Sequence, residues 1–210
     1  MAFRSVKTGL RDEQVALPTL RYESATSVEQ ALLKRRSVRE FRDVPLALVD
    51  LGQLLWAAQG VTDRAGLRTA PSAGALYPLE VYAVAGNVQG LPTGLYRYLP
   101  RGHAMRRIAD GDKRPALARA VLDQLTLSEA SAVLALCAIY ERVTGKYGDR
   151  GLRYVHMEAG HAAQNVYLQA VSLRLSTVVF GAFDDKAVKD VLSLEGQEKP
   201  LYLMPTGRIR

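Results

Sequence analysis

A chain of 210 residues, 48% apolar and 23% charged, suits one compact domain of mixed helix and strand and has too much apolar content to stay disordered. Its formal charge of +7 is scattered rather than gathered into a tail or an aromatic-studded strip, which argues against nucleic-acid binding. No apolar run approaches the roughly 20 residues that span a bilayer, the N-terminus lacks an apolar signal core, and the single Cys137 rules out an internal disulfide, so a cytoplasmic protein with no membrane contact is expected.

Residues 1–24 carry no periodicity and read as an N-terminal arm, with one domain over residues 25–210. Ser27-Val-Glu-Gln30 fits a capping box opening a short helix through Leu33, and Ser37 to Phe41 reads as extended. Pro45 precedes a second helix with Leu48, Leu51, Leu55 and Ala58 on one stripe and Gly60 as its stop. Pro71 to Pro78 is a loop leading into the strand Leu79 to Ala85. The stretches from Gly94 to Tyr98 and from His103 to Ile108 alternate like paired strands. Asp112 is expected to cap a helix carrying Leu117, Val121, Leu122 and Leu125. A buried strand around Cys137 follows, then a Gly- and charge-rich stretch from Glu141 to Gly151, then a long helix from about Leu152 to Leu173. Its small residues, Ala159, Gly160, Ala162 and Ala163, would let another helix approach closely. Ser176 to Phe183 reads as a strand, Asp184 as the cap of a helix through Val191, and Pro200 to Ile209 as a last strand. The sum is an α+β domain without strict βαβ alternation.

Several common signals are missing. There is no G-x-G-x-x-G after a first strand, no phosphate-binding P-loop and no Gly-x-Ser-x-Gly elbow. His156 and His161 lie five residues apart, about 140° around a helix, where two helical metal ligands want a spacing of four. No metal site is expected, and Cys137 reads as a core residue rather than a reactive thiol.

Four stretches carry the chemistry. In Arg35-Arg-Ser-Val-Arg-Glu-Phe41, period two puts Arg35, Ser37 and Arg39 on one face, a donor set suited to a phosphate dianion, although a solvated basic edge is the plain alternative. Pro71-Ser-Ala-Gly-Ala-Leu-Tyr-Pro78 offers small residues past which a flat ligand could lie close to backbone, or is simply a turn. Phe180-Gly-Ala182 ends an apolar stretch before a helix, and Gly207-Arg208 ends the last strand.

Together with Arg153-Tyr-Val-His-Met-Glu-Ala-Gly-His-Ala-Ala-Gln-Asn165 and Gly181-Ala-Phe-Asp184, these stretches resemble the nitroreductase family, in the branch of the SagB-type dehydrogenases of thiazole and oxazole peptide maturation. The resemblance runs from about Ser27 to Arg208. It implies a nitroreductase-like fold, a mixed central sheet flanked by helices in an intertwined homodimer, with FMN at the interface. By resemblance, Arg35, Arg36, Ser37, Arg39 and Arg208 meet the flavin phosphate and ribityl chain. Pro71, Ser72, Ala73, Gly74 and Leu76 pass near the flavin ring, from the other subunit. Phe180, Gly181 and Ala182 turn backbone toward it, and the long helix is the central dimer helix. Many members carry Asn and Gln in the loop where this chain has Gly74 and Tyr77-Pro78, which weakens any transfer of substrate preference.

Lys146-Tyr147 matches a Lys-Tyr pair associated with catalysis in the peptide-azoline dehydrogenases of this branch. An ammonium beside a phenol favours proton removal from it, so Tyr147 could act as a base as hydride leaves; the plain alternative is a solvated loop pair. Three functions stay open: an NAD(P)H-dependent reductase of small molecules, a dehydrogenase of thiazoline or oxazoline rings in a peptide, and a flavin-binding protein or partner subunit with little turnover.

Overall fold

The computed structural model describes residues 13–121 and 125–209. Nine strands and seven helices follow in chain order among them: β1 (Gln14–Ala16), α1 (Val28–Lys34), β2 (Leu46–Ala47), α2 (Leu48–Gln59), β3 (Leu79–Ala85), β4 (Val88–Gln89), β5 (Gly94–Leu99), β6 (Ala104–Asp110), α3 (Arg114–Ala120), α4 (Thr126–Glu129), β7 (Ala132–Ala138), α5 (Glu141–Tyr147), α6 (Arg150–Ser172), β8 (Ser176–Thr177), α7 (Asp185–Val191) and β9 (Lys199–Gly207). Seven strands form one sheet in the order β1-β6-β5-β3-β7-β9-β8, antiparallel at every pairing. Parallel pairing enters through the separate β2–β4 ribbon and a bridge from Ser37 to Thr177.

The apolar runs of β3 and β7 make sense because both faces of the sheet are covered. On β7, Ala132, Leu134, Leu136 and Ala138 face the layer built by α2 and α6, while Val133, Ala135 and Cys137 face α3 and α7. Period two thus sorts a continuous hydrophobic run into two cores. Cys137 is fully buried, and burial pushes its thiol well above the usual range, as suits a core residue.

Helix α6 lies across one face of the sheet. Its buried positions, Gly151, Val155, Glu158, Ala159, Ala162, Ala163, Val166 and Ala170, recur at three and four residues, one helical stripe. The small residues on that stripe pack against α2 and the sheet of the same chain, so their size is accounted for within the chain.

Four local expectations need correction. Residues 14–16, expected in the arm, form edge strand β1 on β6. Asp112 does bond the Arg114 amide, but the helix it precedes stops at Ala120; Leu122 lies outside the described residues. The glycine-rich stretch from 141 is helical as α5, because Val143 is buried and the helix packs on α6; the Lys146–Tyr147 pair therefore sits on a helix and not in a loop. The expected strand 176–183 pairs regularly only at Ser176–Thr177, because the Val179 amide donates to the Tyr167 hydroxyl at 2.9 Å instead of to a strand. Gly60 ends α2 as expected, without a left-handed conformation; it is needed because a Cβ there would lie 2.0 Å from Cδ1 of Trp56.

Candidate active site

The residues singled out from sequence gather at two places along α6. The first is its C-terminal half. Arg35 sits with its guanidinium 5.1 Å from the Tyr167 ring centre, and the Ser37 hydroxyl lies 3.0 Å from the Tyr167 hydroxyl. Both meet the same tyrosine, as period two along an extended segment requires. The segment is held there by the Val38 amide donating to the Thr177 carbonyl and by the bridge between Phe41 and Ile209. Arg36 points the other way and helps line a cavity of about 240 Å³ with Lys34, Tyr167, Arg174 and Thr177. Arg39 is exposed on the same segment.

Arg208 reaches this end of α6 from the last strand. Its guanidinium donates to the Leu173 carbonyl at 3.2 Å and pairs with Asp50 at 3.4 Å. The Arg42 amide donates to the Arg208 carbonyl, so the segment after Arg39 and the end of β9 run side by side. Asp50 also takes Arg21 at 2.9 Å and so is shared between two cations. The 240 Å³ cavity is lined by three cations and no carboxylate, a donor set that fits a phosphate.

The second place is the loop 71–78, held against the N-terminal half of α6. Gly74, Ala75 and Tyr77 have φ of 64°, 54° and 46°, an accumulation of left-handed conformations that surrounding contacts must enforce. The enforcing contacts are identifiable. The Ser72 hydroxyl, beside the Glu158 carboxyl, accepts the Tyr77 amide at 2.9 Å, and Arg142 of α5 donates to the Tyr77 carbonyl at 3.0 Å. Arg142 also pairs with Glu80 at 2.6 Å, which pins α5 to the start of β3.

That pin brings Lys146 and Tyr147 onto the loop. A Cβ built on Gly74 would lie 2.8 Å from the Tyr147 hydroxyl and 3.1 Å from the Lys146 Nζ, so the pair fills the space a larger residue would take. Lys146 Nζ is 5.3 Å from the Tyr147 ring centre, and Tyr154 of α6 meets the other edge of that ring. Ser72, Ala73 and Leu76 are half-buried; Pro71 and Gly74 are exposed. Phe180 bridges to Leu203 of β9, and Gly181 and Ala182 follow it on the surface.

Glu158 was not singled out from sequence. It is 2% exposed, on the buried stripe of α6, with Gln59 Nε2 donating to it at 3.4 Å. Burial raises its carboxyl to about 7, against smaller opposing effects of Ser72, Gln59 and Arg68. A carboxylate three residues after Val155 and four before Ala162 falls on an apolar face, and that spacing is a signal a sequence reading could use. Tyr167 gave no comparable sign, being one of ten tyrosines. Among the described residues no cluster of His, Cys, Asp and Glu could hold a metal ion; His156 instead lies 2.6 Å from the Tyr140 hydroxyl. No described helix is long and apolar enough to cross a membrane.

The profile of the nitroreductase family matches residues 32–208. A Methanocaldococcus jannaschii protein named as a nitroreductase is 51% identical over 181 residues, 86% of this chain and 90% of that one. Among solved structures, a protein from Ralstonia eutropha JMP134 described as a nitroreductase superimposes with a TM-score of 0.81 at 30% identity, over 96% of this chain and 92% of that one. A chain of the E. coli microcin synthetase McbBCD complex with bound truncated pro-MccB17 superimposes with a TM-score of 0.72 at 27% identity, over 86% of this chain and 73% of that one.

Proposed function

The chain belongs to the nitroreductase family and has its fold, and from that premise we propose that it is an FMN-dependent oxidoreductase drawing electrons from NAD(P)H. FMN, when bound, supplies a ring that takes up and returns a hydride. The observation that carries the reading is the gathering of cations (the cradle) at the C-terminal end of α6: Arg35 and Ser37 on Tyr167, Arg36 in the neighbouring cavity with Lys34 and Arg174, and Arg208 on the Leu173 carbonyl. Arg35, Arg36, Ser37, Arg39 and Arg208 would hold the phosphate and ribityl chain, guanidinium forks and a hydroxyl matching phosphate oxygens. Pro71, Ser72, Ala73, Gly74 and Leu76, with the backbone of Phe180, Gly181 and Ala182, would border the ring.

A homodimer is part of the proposal. Nine residues of α6 separate Glu158, beneath the loop, from Tyr167, beneath the cradle, which is about 13 Å along the helix axis. Loop and cradle of one chain are thus offset, and a second copy could bring its loop to the cradle of the first. The exposed apolar residues Val28, Leu32 and Leu33 on α1 and Leu152 and Met157 on α6 offer a surface for that copy.

The purified protein should keep visible flavin absorption through gel filtration and bleach on anaerobic titration with NADH or NADPH. Arg35→Glu should purify folded but colourless. A wild-type protein that is colourless and takes up no added FMN sinks the reading, and a yellow protein inert to both donors would favour a flavin-binding role with little turnover.

One observation favours a second reading, dehydrogenation of a thiazoline or oxazoline ring in a peptide. Lys146 and Tyr147 are packed on the Gly74 loop, and the fold is shared with a chain of a microcin synthetase complex that holds a peptide substrate. In that reaction Tyr147, with Lys146 beside it, would take the proton that the azoline ring loses, and bound FMN would supply the hydride acceptor. Lys146→Ala and Tyr147→Phe should abolish azoline oxidation and leave bleaching by NAD(P)H intact; retention of azoline oxidation in both variants removes this reading.

A further inference from the structure

Beyond Tyr77, on the far wall of the same loop, lies a cavity of about 610 Å³ lined by Arg68, Arg97, Arg101, Arg106 and Arg142 and by a single carboxylate, Glu80. We propose that this cavity is a subsite for a phosphate-bearing ligand and takes the phosphates of the reduced pyridine dinucleotide, an inference that rests on the function proposed above.

The argument starts from which arginines are already paired. Glu80 takes Arg97 at 2.9 Å and Arg142 at 2.6 Å, and Arg97 lies 3.5 Å from Glu198 as well. Two of the five guanidiniums are therefore neutralised. Arg68, half-buried, donates to the Gln59 amide oxygen at 2.9 Å and lies 4.5 Å from the Tyr77 ring centre, but makes no ion pair among the described residues. Arg101 and Arg106, at the rim, make none either among those residues. Arg107 and Arg114, half-buried like Arg68 but outside this cavity, each hold a carboxylate: Glu13 and Asp110 for the first, Asp112 for the second. Cations outside any ion pair among the described residues thus converge on the cavity, Arg68 feeling Glu80 and Glu158 only at longer range. Leaving a half-buried charge unpaired is costly, and an anion from outside the chain would offset that cost.

The ligand class follows from shape. Three guanidiniums outside any ion pair among the described residues suit a tetrahedral, multiply charged phosphate better than a lone carboxylate, and the stacked Arg68–Tyr77 pair offers a flat cationic face against which a purine can stack. Position fits as well. Tyr77 is three residues beyond Gly74, at most about 10 Å of chain, so a ligand anchored here lies next to the loop assigned to the flavin ring.

The test is calorimetric titration of the purified protein with adenosine 2′,5′-bisphosphate and with adenosine, together with steady-state kinetics on both dinucleotides. The bisphosphate should bind and adenosine should not. The double variant Arg101→Glu/Arg106→Glu should raise both the Kd for the bisphosphate and the KM for NADPH at least about tenfold, the equivalent of one charge-assisted hydrogen bond, with kcat and the flavin spectrum retained. Arg119→Glu, an exposed charge on α3, controls for a general loss of positive field. The inference is overturned if the bisphosphate does not bind, if the control raises KM as much as the double variant, or if a glutamate-rich peptide binds here and the bisphosphate does not. Bisphosphate binding without any flavin would uphold the subsite and defeat the function; a yellow, NADPH-reducible protein whose KM ignores Arg101 and Arg106 would do the reverse.

Discussion

Replacing Glu158 with glutamine isolates the most consequential buried charge near the loop. The carboxyl is 2% exposed and its pKa rises from 4.5 to about 7, chiefly because burial penalises the charged form. A raised carboxyl pKa means that the folded state holds the proton more tightly. Its stabilising contribution is therefore complete below the unfolded value and is lost as pH rises through the folded value. The full swing is about 3 kcal/mol, and about 2.5 kcal/mol of it falls between pH 5 and pH 8. For a chain of this size that corresponds to roughly 5–10 °C in Tm. Glu158→Gln keeps the side-chain length and the contacts to Gln59 and Ser72 but removes the titration. The assay is urea unfolding of both proteins at pH 5, 6, 7 and 8, at one protein concentration because dimerisation would shift apparent stability. The wild type should lose stability relative to the variant as pH rises, and the variant should be the more stable at pH 8. Parallel curves for the two proteins across that range would refute the reasoning, since His103 and every other titrating group are common to both.

Gly74→Ala should be tolerated by the fold at a cost of about 1–2 kcal/mol for a left-handed alanine, while displacing the Tyr147 hydroxyl that would lie 2.8 Å from the new Cβ. A larger loss of turnover than of Tm, measured on the same preparation, is the expected pattern. Leu134→Ala, at a fully buried position of β7 between α6 and the sheet, should lower stability by about 2–5 kcal/mol. Equilibrium unfolding checks it, and a loss under 1 kcal/mol would mean that the two-faced core is misassigned.

Much of the architecture was legible because two periodicities are so clean. The runs at 79–85 and 132–138 are uninterrupted by polar or breaking residues apart from Glu80, and the stripe of α6 repeats at three and four for about five turns. What failed depended on partners distant in sequence. Gly145, Gly148 and Gly151 read as loop punctuation, yet packing on α6 overrides the propensity of Gly145 inside α5. The strand expected through Phe183 stopped at Thr177 because a tyrosine hydroxyl twelve residues away took its next available amide. The three residues at 14–16 give no signal until β6 offers them an edge. The candidate site residues were picked out by their order along the chain, whereas Glu158 and Tyr167, which lie beneath them, have no motif of their own.

Those two residues change how the site is understood. The motif at 35–39 and the loop at 71–78 are surface segments with few regular hydrogen bonds, and neither could hold its shape alone. Tyr167 organises the first through both of its ends: its ring lies under Arg35, and its hydroxyl meets Ser37 and takes the Val179 amide. Glu158 lies beneath the second beside Ser72, whose hydroxyl holds the Tyr77 amide. Both stand on one rigid helix whose alanine stripe fixes its depth against α2 and the sheet. Side chains that must hold a ligand in register are best placed on regular elements with locked neighbours. Here the candidate residues lie on irregular segments pinned from below, so the segment at 35–39 and the loop at 71–78 keep a fixed spacing along α6. That spacing, more than any single arginine, is what a second copy of the chain would have to match.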